Sequence, residues 1–144
     1  MIAFDTNALV RMLIEDNKSQ ARAVEEVVLF VQKNSLQIII LSEVLIETVW
    51  VLETVYQCTR NEVSQFLESL ISTSTFRFPD SPIIRKAIQQ YKREGDFADL
   101  IIVGQARKQQ AKKFFSFDKK VQKLFPDYVI ENPAKATFQP LSSE

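Results

Sequence analysis

The chain has 144 residues, 46% of them hydrophobic and 25% charged, with 18 basic and 18 acidic side chains that cancel to zero net charge. This fits one domain, large enough to bury a core and too short for two ordinary ones. Two glycines argue against a turn-rich all-β architecture or disorder. With no histidine and one cysteine, Cys58, the chain can form neither an intrachain disulfide nor a cysteine zinc site, which suits a reducing cytoplasm.

Taken in order, Ile2 to Phe4 read as a short buried strand. Asp5-Thr6-Asn7 then supply capping residues for a helix carrying Leu9, Val10, Leu13 and Ile14. Residues 18 to 33 read as an amphipathic helix with Ala21, Val24, Val27, Val28 and Val31 on its apolar side. Ile38-Ile39-Ile40-Leu41 has the unbroken apolar pattern of a strand covered on both faces in a parallel sheet. Ser42 is expected to cap a long helix to about Tyr56, and residues 60 to 73 to form another. Phe76-Arg77-Phe78 reads as a short strand, and Pro82 as the start of a helix through Lys92 that Gly95 breaks.

Asp96 opens the next helix, with Leu100, Ile101, Val103, Gly104 and Ala106 on its packing face. Phe114-Phe115-Ser116-Phe117 reads as another buried strand, most of its aromatics being assigned to the core, and Asp118 starts the last short helix. Tyr128-Val129-Ile130 is a candidate edge strand. Residues 1–136 are expected to form a single domain and 137–144 a flexible tail. Strands alternating with helices predict an α/β fold with a mainly parallel sheet and right-handed crossovers. No run approaches the roughly 18 apolar residues needed to span a bilayer, and nothing basic precedes the first apolar residues, so neither a membrane segment nor an export signal is expected.

In an open parallel sheet, sites lie beyond the carboxyl ends of the strands. Asp5 and Asp118 stand at such ends, Asp96 and Asp99 share one face of a first helical turn, and Glu47 projects from the helix after the second strand. In a chain without histidine, carboxylates are the natural means of doing chemistry. Hard cations such as Mg²⁺ and Mn²⁺ prefer oxygen ligands and activate water against phosphodiesters, which points to a metal-dependent nuclease.

Each acid also has a structural explanation, because aspartate is a favoured N-cap worth about 1 kcal/mol. Glu47 departs furthest from that pattern: it is the only charge in Val44-Leu45-Ile46-Glu47-Thr48-Val49-Trp50-Val51-Leu52, where burying an unpaired carboxylate would be costly. Glu43, four residues earlier on the same face, lies in the first turn, where a solvated acid already has a role, so Glu47 is preferred. Thr6, Asn7 and Ser116 are polar neighbours suited to orienting carboxylates or water, or to plain capping.

Charge is also unevenly distributed. Residues 1 to 99 carry a net −4 and residues 100 to 144 a net +4. Arg107, Lys108, Lys112, Lys113, Lys119, Lys120 and Lys123 gather around Asp118, where they serve either as phosphate contacts or as a solvated face.

Four segments together resemble the PIN domain, and within it the VapC-like ribonuclease toxins. They are Ile2-Ala3-Phe4-Asp5-Thr6-Asn7, Leu45-Ile46-Glu47-Thr48-Val49-Trp50-Val51-Leu52, Gly95-Asp96-Phe97-Ala98-Asp99-Leu100-Ile101-Ile102 and Phe115-Ser116-Phe117-Asp118. The likeness covers about residues 1 to 130. Ser116 stands where the family commonly has threonine, and Leu100 where it often has a smaller residue.

The resemblance implies a three-layer α/β/α sandwich with a mainly parallel central sheet of four to five strands. It implies metal-dependent endoribonuclease activity, with Asp5, Glu47, Asp99 and Asp118 as core carboxylates around one or two Mg²⁺ or Mn²⁺ ions, and Asp96 as a supporting ligand or a cap. It also implies an RNA substrate, a homodimer and a small antitoxin that blocks the cleft, with the helices from Ala21 to Val31 and from Val49 to Leu70 as candidate surfaces. Two other readings compete. One is an aspartate-based phosphatase or phosphotransferase with Asp5 as nucleophile, weakened by Asn7 where haloacid-dehalogenase-like phosphatases carry a second acid. The other is a noncatalytic PIN-like interaction module.

Overall fold

The structure is a computed structural model that describes residues 1–132. The start proposed for the tail, at residue 137, lies outside those residues. Five strands and seven helices alternate along the described chain. The strands are β1 (Ile2–Ala3), β2 (Ile38–Ile39), β3 (Phe76–Arg77), β4 (Phe114–Phe115) and β5 (Val129–Ile130). The helices are α1 (Thr6–Arg11), α2 (Lys18–Lys33), α3 (Ser42–Thr54), α4 (Arg60–Ser72), α5 (Ser81–Tyr91), α6 (Phe97–Lys108) and α7 (Lys119–Leu124).

Every strand pairing is parallel, as the βα alternation predicts. The ladders fall into a three-stranded sheet, β1-β2-β3, and a separate pair, β4-β5, rather than one run of four or five. Each ladder is two residues long, so few inter-strand hydrogen bonds hold it and the side-chain core carries the assembly.

That core runs through Leu9 and Val10 of α1, Ile38 and Ile40 around β2, Leu45, Val49 and Leu52 of α3, and Ile101 of α6. Tyr91 and Phe97 join it as an edge-to-face ring pair with centroids 5.7 Å apart. A second cluster of Val103, Val121, Tyr128 and Val129, with Phe114 and Phe125 packed against it, fastens β4, α7 and β5 to α6. Among the described residues, no helix is long and apolar enough to cross a membrane.

Three sequence expectations change. Ser42 is the first residue inside α3; the cap position is Leu41, which makes no side-chain cap bond and whose side chain is exposed, so the β2 run is not covered along its whole length. Glu47 is exposed, because its apolar neighbours turn away to the core and leave it on the open face. Phe115 and Phe117 are exposed too, since the second cluster takes up Phe114 and not its neighbours.

Candidate active site

Three of the five acids act as helix caps. Asp5 Oδ1 accepts from Ala8 N at 2.8 Å, Asp96 Oδ1 from Asp99 N at 3.1 Å, and Asp118 Oδ1 from Lys120 N at 2.8 Å. The capping reading and the functional one therefore do not compete. A cap engages Oδ1 and fixes the carboxylate's direction, while Oδ2 takes no part in it.

Asp99 is different. It sits in the first turn of α6, half-buried, and its pKa is pushed up to about 6, first by burial and then by the charges of Asp96 and Asp118. α6 and the β4–α7 junction thus bring Asp96, Asp99 and Asp118 into one electrostatic group. Asp5 and Glu47 are not among the charges that move Asp99.

Glu47 instead lines a cleft of about 360 Å³ together with Glu43, Glu53, Trp50 and Asp96. Asp96 is therefore common to both groups. Asp5 enters through packing, because α1 lies against α3, the helix of Glu47, and α3 lies against α6. Among the described residues, no three carboxylates, thiols or imidazoles stand close enough to hold an ion as they are. The donor chemistry nevertheless fits a hard cation: every candidate is a carboxylate oxygen, and their mutual repulsion at Asp99 is what such a charge would relieve.

The polar neighbours divide. Ser116 Oγ accepts from Asp118 N at 3.0 Å and so helps place that acid. Asn7 reaches Gln20 Oε1 at 3.4 Å, tying α1 to α2, and Thr6 is the half-buried first residue of α1. The basic residues divide as well. Arg107 and Lys108 end α6, about 12–14 Å along the axis from Asp99. Arg107 lies 4.1 Å over the Tyr128 ring and Lys108 pairs with Asp80. Lys119 and Lys120 follow Asp118 directly, Lys119 pairing with Glu131 at 2.5 Å. Lys113 donates to the Asp127 carbonyl, and Lys112 and Lys120 are exposed.

Sequence reasoning missed a tether. Arg60 Nη1 donates at 2.8 Å to the carbonyls of both Tyr91 and Gly95, and its guanidinium lies 4.6 Å over the Tyr91 ring. Tyr91 in turn donates its hydroxyl to Glu53 Oε2 at 2.7 Å, and burial and that bond hold the phenol well above its ordinary pKa. The turn into Asp96 passes through Gly95 at φ +103°, where a side chain would be strained and a Cβ would meet Leu124 at 3.2 Å. Arg60 thus holds both ends of the segment that presents Asp96 and Asp99. Only the capping box of α4, Thr59 with Glu62, was within reach of the sequence; the 31 and 35 residues from Arg60 to its acceptors were not. Arg60→Ala is expected to lower stability by about 1–2 kcal/mol, read as a lower urea midpoint at unchanged slope.

A family model described as PIN domain matches residues 2–125. The chain is also similar to a VapC ribonuclease of Aquifex aeolicus (strain VF5), 28% identical over 125 residues that cover 86% of this chain and 92% of the relative. No solved structure matches it significantly. The matched span takes in all five candidate acids and every helix of the described residues, and the chain belongs to the PIN domain family.

Proposed function

We propose that the protein is a metal-dependent endoribonuclease in which Asp5, Glu47, Asp99 and Asp118 are the core carboxylates and Asp96 a supporting one. The observation that carries this reading is the coupling of Asp99 to Asp96 and Asp118 at the N-terminus of α6. A half-buried acid pressed by two others is poorly arranged for stability alone and well arranged to receive a cation. One or two Mg²⁺ or Mn²⁺ ions held by these carboxylates would polarise water and offset charge on the phosphate.

The residues of the chain do the rest. The caps at Asp5, Asp96 and Asp118 hold their carboxylates in fixed directions, Ser116 fixes the backbone of Asp118, and Arg60 fixes the segment before Asp96. Lys112, Lys113, Lys119 and Lys120 lie on the chain beside Asp118, where cations hold an RNA backbone. Arg107 and Lys108, at the far end of α6, would meet the strand at a distance from the acids.

The likeness to a VapC ribonuclease supports a role as the toxin of a toxin-antitoxin pair, acting as a homodimer and restrained by a small antitoxin protein. α2, with Leu29 and Phe30 exposed, offers an apolar surface for such a partner. The test is cleavage of total cellular RNA with mapped ends. Cleavage is expected in Mg²⁺ or Mn²⁺, is lost in EDTA, and is lost in Asp5→Asn while its circular dichroism matches the parent. Cleavage undiminished in EDTA, or in Asp5→Asn, sinks the proposal.

A further inference from the structure

Phe117 is 76% exposed and Phe115 53%, and Phe117 is the most exposed large apolar side chain among the described residues. Two phenyl rings left in water forgo the burial free energy that the nearby Phe114 collects. The pair faces the same way because residues two apart in an extended chain share a side, and the rings meet edge to face at 5.1 Å. Phe117 is bonded directly to Asp118, so the pair immediately precedes the last of the candidate acids along the chain.

Positive charge predominates along the stretch that carries the pair, although Lys119 is paired with Glu131, next to β5. From residue 107 to residue 123 there are seven basic side chains and a single acid, Asp118. Lys112 and Lys113 precede the rings, and Lys119 and Lys120 follow them. Exposed aromatic faces bordered by lysines suit a ligand that is flat, apolar in its faces and anionic along its length. An unpaired nucleobase on a phosphate backbone has that chemistry, whereas a duplex keeps its bases stacked inside.

Resting on the reading of the protein as a ribonuclease, we infer that Phe115 and Phe117 form a stacking platform for an unpaired base of the RNA beside the cleavage position. The platform selects single-stranded RNA, and the lysines supply affinity without selecting sequence.

Binding measured without metal tests this separately from cleavage. Fluorescence anisotropy in EDTA compares a labelled short single-stranded oligoribonucleotide with the duplex of the same sequence. Phe115→Ala with Phe117→Ala is expected to weaken single-strand binding about 10-fold or more and to leave duplex binding and the salt dependence unchanged. Phe117→Tyr keeps a stacking face and is expected to stay within about 2-fold of the parent. Lys119→Ala with Lys120→Ala is expected to weaken both ligands and flatten the salt dependence. If the double alanine variant misfolds by circular dichroism, Phe117→Ala alone carries the test, its ring being mostly in water.

Unchanged single-strand affinity, or equal loss for strand and duplex, overturns the inference. So does loss of self-association in sedimentation velocity at unchanged RNA affinity, which would make the pair a contact between copies of the chain. A parent that binds single strands through the pair yet never cleaves them removes the nuclease reading alone. A parent that cleaves while the double variant binds and cleaves equally well removes the platform alone.

Discussion

Asp99→Asn is expected to abolish metal-dependent RNA cleavage, by about 1,000-fold or more, and at the same time to make the metal-free protein more stable. The two effects share one cause. The Asp99 carboxyl titrates at about 6 against an ordinary 3.8, so the folded protein holds its proton more tightly than the unfolded chain does. The penalty from its ionised form is absent below about pH 4, grows as the pH rises to about 6, and is complete above that. An asparagine of similar shape escapes it. Allowing for partial exposure, the gain is about 1 kcal/mol, or about 3 °C in melting temperature at neutral pH, and it fades as the pH falls from 6 to 4. Mg²⁺ is expected to raise the melting temperature of the parent and to do so much less in the variant. A variant less stable than the parent at neutral pH without metal would show that Asp99 serves the fold and not the chemistry.

Gly104→Leu is expected to destabilise the protein by about 2–3 kcal/mol through overpacking. Gly104 lies where α6 meets α5, and a Cβ built there stands 2.8 Å from Cγ2 of Ile83, a branched methyl that cannot swing aside. Gly104→Ala meets the same Cβ clash and is expected to destabilise less, by about 1 kcal/mol, because the helix-propensity gain of about 1 kcal/mol offsets part of the crowding. Ile83→Ala combined with Gly104→Leu is expected to recover part of the loss, and a double-mutant cycle by urea unfolding measures that coupling. Additive losses would place the strain elsewhere. Since α6 also carries Asp99, the leucine variant should lose more activity than its unfolded fraction accounts for.

Much of the fold could be read from local pattern. Local pattern marked the helix starts at Asp5, Asp96 and Asp118, the first and last of them directly after strands, and all three are caps in the structure. What misled was the assumption that an apolar neighbourhood in sequence is a buried one in space. Glu47 sits among eight apolar or uncharged residues and is exposed, because α3 turns Leu45, Val49 and Leu52 inward and leaves Glu47 and Trp50 on the cleft. The Phe114 to Phe117 run failed for the same reason: hydrophobicity cannot distinguish a ring the core needs from one held in water. The Arg60 tether and the coupling of Asp99 to Asp118 join residues far apart in sequence, and no periodicity encodes them.

The separate β4–β5 ladder has a consequence for when the protein acquires its chemistry. Asp118 follows β4 immediately, yet β4 is held by β5, which the ribosome makes afterwards, together with Tyr128 and Val129 of the second cluster. A chain released or cut at Phe125 contains all five candidate site acids, Asp5, Glu47, Asp96, Asp99 and Asp118, and lacks the strand that seats the last of them. During synthesis the earlier acids therefore emerge into a fold that is still incomplete, and the site closes with almost the final turn of the domain. On the ribonuclease reading proposed above, that ordering would delay activity until the chain has nearly left the ribosome.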